Sequence, residues 1–259
     1  TAHASDDATV IGGSGTDTIR FDAGGSNIVI QAGDGGNFNK ISGVEKIHVE
    51  GTAEIQLIFS TTMDSMFTSG ITVTASDTGG YIKNSVTDLA STLTLTGTGR
   101  ADTLTGGSNN DTLNGGNDND SLVGAAGNDS LVGGAGLDQI KGGAGNDTIT
   151  LGTGNDILYF TSSVGADTIT DYSVADDRIK IDDDTFAAIE TTGILSASIF
   201  KSGAAISDIT LDSDDRIYYL TGANELYYDQ DGSGATSAVL LATFTNTDPD
   251  IVNTEIQVY

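Results

Sequence analysis

The chain has no cysteine, no tryptophan and one proline, and ten basic residues stand against 37 acidic ones among 259. Without cysteine there is no disulfide framework and no thiolate chemistry. A formal net charge of −27 argues against nucleic acid or an anionic membrane surface as a partner and favours divalent cations. No run of about eighteen apolar residues occurs, so no membrane insertion is expected, and no charged start leads into an apolar N-terminal export segment. The chain opens at Thr1 rather than Met, as expected of a piece of something larger. The only histidines are His3 and His48, and neither a His-Glu-x-x-His nor a Gly-x-Ser-x-Gly sequence occurs, so the zinc-protease and nucleophile-elbow signatures are missing. The glutamates are scattered without an obvious cleft, and no enzyme is expected.

What the chain does have is glycine, 35 of them, and a strict register. Asp102, Asp111, Asp120, Asp129, Asp138, Asp147 and Asp156 recur every nine residues, each followed two positions later by Leu104, Leu113, Leu122, Leu131, Ile140, Ile149 or Leu158. In this frame, typified by Gly-Gly-Ala-Gly-Asn-Asp-Thr-Ile-Thr from Gly142 to Thr150, six residues are expected to turn and three to extend. The turn needs glycine, because its carbonyls must point inward through dihedrals that a Cβ obstructs. Where the fourth position is not glycine it is Asn109 or Asp118, two residue types that tolerate left-handed dihedrals.

Nine residues cannot bury an apolar face alone, so the repeats must stack. Stacking brings like charges into columns that would repel unless cations lay between them. From Asp102 to Asp177 there are twelve aspartates, no glutamate and one basic residue, Lys141. Carboxylate and carbonyl oxygens suit calcium better than magnesium, which demands a tight octahedron, or zinc, which prefers His and Cys. The candidate metal ligands are the seven aspartates with Gly107, Asn109, Gly116, Asp118, Gly127, Gly134, Gly136, Gly143, Gly145, Gly152 and Gly154. Gly165 and Asp167 resume the pattern after a two-residue slip at Phe160 and Thr161, and an isolated repeat from Gly12 to Arg20 adds Asp17. The row from Gly97 to Thr105 is irregular and reads as an entry coil.

These repeats resemble the RTX family of calcium-binding nonapeptides. The resemblance implies an all-β, right-handed parallel β-roll with eighteen residues per coil. Asp102, Asp120, Asp138 and Asp156 would then lie on one edge, with Asp111, Asp129, Asp147 and Asp167 on the other. Counting the gaps gives about five or six calcium ions. The resemblance also implies export, unfolded, by type I secretion machinery through an uncleaved C-terminal signal, with folding on calcium outside the cell.

Residues 1–96 read as irregular β-solenoid coils whose turns mostly lack metal ligands, residues 97–170 as the roll, and residues 171–259 as an antiparallel β cap carrying the secretion signal. In the cap, Ile217–Leu220, Glu225–Tyr228 and 238–244 are expected as strands. The acidic clusters Asp182 to Asp184 and Asp212, Asp214 and Asp215 are expected to face water. Asp176 and Asp177 are the better candidates for a further ion, and Asp229 and Asp231 fit a hairpin turn better than an EF-hand. The reading that follows is a secreted calcium-binding structural module of a bacterial adhesin or surface-layer protein, in contact with cell-surface polysaccharide or with further copies of itself. The alternative is the folding and secretion tail of an exported hydrolase or toxin.

Overall fold

The computed structural model describes residues 92–161, 164–189, 193–205, 207, 209, 215–232, 238–246 and 251–259, together with eight strands before residue 92. Those are β1 (Thr9–Ile11), β2 (Thr18–Asp22), β3 (Ile28–Gln31), β4 (Lys40–Ser42), β5 (Lys46–Glu50), β6 (Ile55–Phe59), β7 (Ile71–Ala75) and β8 (Ile82–Val86). Asp17, Met63 to Phe67, Asp212 and Asp214 lie outside the described residues.

In the repeat region the strands alternate between two sheets. One takes β9 (Leu93–Thr96), β11 (Thr112–Asn117), β13 (Ser130–Ala135), β15 (Thr148–Thr153) and β17 (Asp167–Ile169). The other takes β10 (Thr103–Thr105), β12 (Ser121–Ala126), β14 (Gln139–Ala144), β16 (Ile157–Phe160) and β18 (Arg178–Ile181). Every neighbour within these two sets is parallel. The chain is therefore a β-solenoid, and the sheets run on into the N-terminal strands through the parallel pairs of β9 with β7 and β10 with β8.

Coil length follows composition. Thr18 pairs with Lys46, Lys46 with Thr72 and Thr72 with Thr94, giving coils of 28, 26 and 22 residues. Thr94 pairs with Thr112, Thr112 with Ser130 and Ser130 with Thr148, giving 18 three times, and Thr148 with Thr168 gives 20. The shortest coils are those with two glycine-rich turns, because only there can the backbone reverse in three residues. The hydrogen-bonded stretch is longer than the expected three residues: β12, β13, β14 and β15 each have six. Pairing passes through the second-position glycine, as in Ala125 with Gly143 and Gly134 with Gly152, and confines the turn to positions four to six.

Side chains alternate in and out along each strand, so one residue per repeat enters the core. Leu95, Leu113, Leu131, Ile149 and Ile169 form one inward column and Leu104, Leu122, Ile140, Leu158 and Ile179 the other, all fully buried. Each such side chain contributes about 1.5–3 kcal/mol relative to exposure.

The C-terminal strands fall where the alternation places them: β21 (Ile217–Leu220), β22 (Glu225–Tyr228) and β23 (Val239–Phe244), antiparallel in that order. β23 also pairs in parallel with β17, while β20 (Phe200–Gly203) flanks β21. On the other sheet β24 (Ile256–Val258) pairs in parallel with β18 and is flanked by β19 (Gly193–Ile194). Both sheets thus pass from the repeats into the C-terminal segment. Aromatics fill the widened core there, with Phe244 edge-to-face against Tyr172 and Tyr219, and Phe186 against Tyr228. Among the described residues Asn253–Glu255 forms a 3-10 turn, and no helix is long and apolar enough to cross a membrane.

Candidate metal centre

Each repeat aspartate follows a turn and precedes a strand, and its carboxylate points inward rather than to solvent. Asp102, Asp111, Asp120, Asp129, Asp138, Asp147 and Asp156 are at most 2% exposed. One oxygen of each is used in the same way along the stack. The Asp120 Oδ1 accepts the Asp102 amide at 2.7 Å, and the Asp138 and Asp156 Oδ1 atoms accept the Asp120 and Asp138 amides at 2.8 Å. On the opposite edge Asp129, Asp147 and Asp167 accept the amides of Asp111, Asp129 and Asp147 at 2.7, 2.8 and 3.1 Å. The two edges are those that the resemblance implies.

The second oxygen is different. Among the described residues the Oδ2 atoms of Asp120, Asp129, Asp138, Asp147 and Asp156 are buried with no hydrogen-bond partner. Such an orphan costs about 1–3 kcal/mol, more for a charged group. Only the ends of the ladders escape. Asp102 Oδ2 accepts the Thr98 amide, Asp111 Oδ2 the Gly107 amide and Asp177 Oδ2 the Ser173 amide.

Glycine opens the space beside each orphan. A Cβ on Gly115 would lie 2.3 Å from Asp120 Oδ2 and 2.6 Å from the Gly133 carbonyl oxygen, and one on Gly124 2.4 Å from Asp129 Oδ2 and 2.5 Å from the Gly142 carbonyl oxygen. Gly116, Gly134, Gly143 and Gly152 at position two have positive φ, as do Gly127, Gly136, Gly145, Gly154 and Gly165 at position four. Their carbonyls point at the next coil: a Cβ on Gly154 would stand 1.6 Å from the Gly136 oxygen, and one on Gly165 1.8 Å from that of Gly145. Among the described residues no three side chains of His, Cys, Asp or Glu converge as a metal cluster. Any ion held here must take backbone oxygens as well as carboxylates.

Residues 96–131 and 123–158 match the family described as RTX calcium-binding nonapeptide repeat, in four copies. Residues 96–158 are RTX repeats. No curated protein matches the chain. The RTX repeat is a structural calcium-binding module, and this one offers the ion an all-oxygen environment: orphaned carboxylate atoms, carbonyls facing along the stack, and glycine positions that any side chain would fill. That donor set fits a hard cation of flexible coordination.

The electrostatics of the RTX stack point the same way. Burial pushes the carboxyls of Asp120 and Asp129 up to about 7, with the ladder neighbours Asp138 and Asp102, and Asp147 and Asp111, adding repulsion. Asp167 rises to about 7, and Asp156 and Asp177 to about 6, for the same first cause. Asp111, Asp138 and Asp147 are raised as well. In each case desolvation outweighs the backbone hydrogen bonds that favour the anion. A cation would reverse that balance.

Several positions depart from the register. Asp118 has the expected left-handed φ of 72°, whereas Asn109 is not among the residues with positive φ. Its turn closes differently, the Gly107 amide reaching its own repeat's Asp111 as Thr98 reaches Asp102. Ala125 carries φ 82° at a second position where the other rows from Gly106 to Tyr159 have glycine. A ladder not foreseen from the aspartates runs along the exposed fifth positions: the Asn110 Oδ1 accepts the Asn128 amide, Asn128 that of Asn146, and Asn146 that of Ala166. Its signal was visible, since Asn recurs at 110, 119, 128, 146 and 155.

Beyond the RTX rows, Asp177 joins the ladder by accepting the Asp156 amide at 3.0 Å, while Asp176 is exposed. Asp171 accepts the amides of Leu151 and Gly152 at 2.7 and 2.8 Å and closes the last turn. Asp229 is buried and accepts the amides of Asp231 and Gly232, a turn between β22 and β23. Asp215, expected to face water, is 1% exposed and pairs with Lys201 at 3.2 Å. Asp182 and Asp183 are half-buried and Asp184 is exposed.

Proposed function

We propose that this chain is the calcium-folded structural part of an exported bacterial protein, an adhesin or surface-layer component, carried out by type I secretion machinery and assembled at the cell surface. The observation that carries the calcium reading is the row of five buried carboxylate oxygens without partners. About five or six ions would sit between successive turns, held by the repeat aspartates and the carbonyls of positions two and four. Residues 97–170 would form the calcium unit, residues 1–96 a metal-poor extension, and residues 171–259 the end cap with the export signal. In cytosol, where calcium is scarce, an acidic, glycine-rich segment lacks the burial that ordering requires. Outside, ion binding and folding become one event.

The test is equilibrium dialysis with circular dichroism. The parent should bind several calcium ions and lose β signal in chelator, and Asp120→Ala and Asp129→Ala should each bind fewer ions and melt lower. Full β content in excess chelator, or unchanged ion counts in both variants, overturns the reading.

A further inference from the structure

The outer face of the β14, β16, β18 and β24 sheet brings two of the chain's ten basic residues together with two tyrosines. Lys141, Tyr159, Lys180 and Gln257 are register partners across these four strands and form one row. Lys141 is the sole basic residue between Asp102 and Asp177. Its Nζ lies 4.8 Å from the centre of the Tyr159 ring and that of Lys180 lies 5.5 Å from the same ring. Tyr259, 41% exposed, meets Tyr159 edge-on at 5.4 Å. The Tyr159 hydroxyl donates to the Gln139 side chain at 3.1 Å.

In a chain with 37 acidic residues, lysines would ordinarily be matched by carboxylates. Among the described residues neither Lys141 nor Lys180 has one, and the ion pair found is Lys201 with Asp215. The two ammonium groups instead flank one aromatic ring, Lys141 from the strand on one side of Tyr159 and Lys180 from the strand on the other, and the ring quadrupole attracts both. That leaves their charge available to an outside anion.

We propose that this row, Lys141, Tyr159, Lys180 and Tyr259 with Gln139 and Gln257 beside it, is a binding platform for a carboxylate-bearing polysaccharide. Lys141 and Lys180 stand two strands apart, roughly 9.5 Å between backbones. That spacing suits a polymer with one charge every ring or two, and not the dense charge of a polyphosphate. The net charge of −27 repels densely anionic chains while tolerating a sparsely charged one. The exposed Tyr259 ring receives the polarised C–H groups of sugar rings, and the glutamine amides offer a donor and an acceptor to hydroxyls. The inference requires the stacked sheet, not the cell-surface assignment.

The test is calorimetric titration of the full, calcium-loaded chain with a hyaluronan octasaccharide and with an oligosialic acid, against dextran and polyphosphate. At least one of the two acidic saccharides should bind, Lys141→Gln/Lys180→Gln should weaken it at least tenfold, and Tyr159→Leu should weaken it too. Both variants should keep the parent's calcium-induced circular dichroism. The proposal is overturned if neither acidic saccharide binds, if the double variant binds as tightly, or if dextran or polyphosphate binds as well as the acidic saccharides. Lysine-dependent self-association in light scattering without saccharide also overturns it, since the platform would then serve a second copy. If calcium induces no dichroism change in the parent, the calcium reading fails instead, and the same titration without calcium still decides the platform.

Discussion

An inward aspartate with one oxygen tied to the backbone and the other bare is a poor residue for a metal-free core. Protonation is the only relief available without a cation, and it sets the sign of the pH response. The carboxyls of Asp120, Asp129 and Asp167 rise from 3.8 to about 7, and those of Asp156 and Asp177 to about 6. The folded state then binds more protons than the unfolded one. In protein stripped of calcium, this contribution to stability is fully present below about pH 4 and lost as pH rises through about 6 to 7. Circular dichroism of the stripped chain from pH 4 to 8 should show β signal falling with pH; a rise would contradict the ladder geometry. Ala125 gives a second residue-scale prediction. At φ 82° its Cβ costs about 1–2 kcal/mol, so Ala125→Gly should raise calcium-loaded stability by about 1 kcal/mol after glycine's entropic penalty, measured by thermal melting.

At the scale of the turn, neighbouring coils are joined by two side-chain ladders of opposite sense. Aspartates accept amides from the preceding coil, and the fifth-position asparagines accept from the following one. Leu137 interrupts the second ladder: its amide donates to the Asn119 Oδ1 at 2.7 Å, but its side chain, 41% exposed, offers nothing onward. Leu137→Asn should therefore supply an acceptor to the next coil and stabilise by about 0.5–1 kcal/mol. Denaturant unfolding with calcium present checks it, and a destabilised variant would mean the ladder is incidental. The aspartate ladder was legible because the nine-residue period, read with the eighteen-residue coil that the RTX resemblance implies, fixes which residues stack. The closure of the first turns by Thr98 and Gly107 was not, because it depends on backbone dihedrals that the glycine pattern leaves open.

Over the whole molecule, calcium would act by mass action. At free calcium ten times the dissociation constant each site adds about 1.4 kcal/mol, and five or six add about 7–8 kcal/mol, against a typical stability of about 5–15 kcal/mol. The C-terminal strands share in this stability, because β23 and β24 pair with β17 and β18 rather than standing apart. Removing residues 251–259 would bare the β18 edge and uncover Ile179 and Ile181. The truncated chain should melt lower with calcium bound and scatter more light at high concentration; equal melting would make the cap an independent unit. The antiparallel order of β21, β22 and β23 was readable from alternation and turn residues, whereas their docking onto the roll was not.

Periodicity by itself determined that the repeats stack and that one leucine or isoleucine per repeat is buried; the two columns and the assignment of each aspartate to an edge needed the eighteen-residue coil that the RTX resemblance implies. Only the tertiary structure decided which oxygens are satisfied and which are bare, that Asp177 extends a ladder and Asp171 closes the last turn, that Asp215 is buried against Lys201, and that Lys141 and Lys180 flank Tyr159. Most of those outcomes turn on contacts in irregular coils, where no period carries the register and packing alone sets the partner.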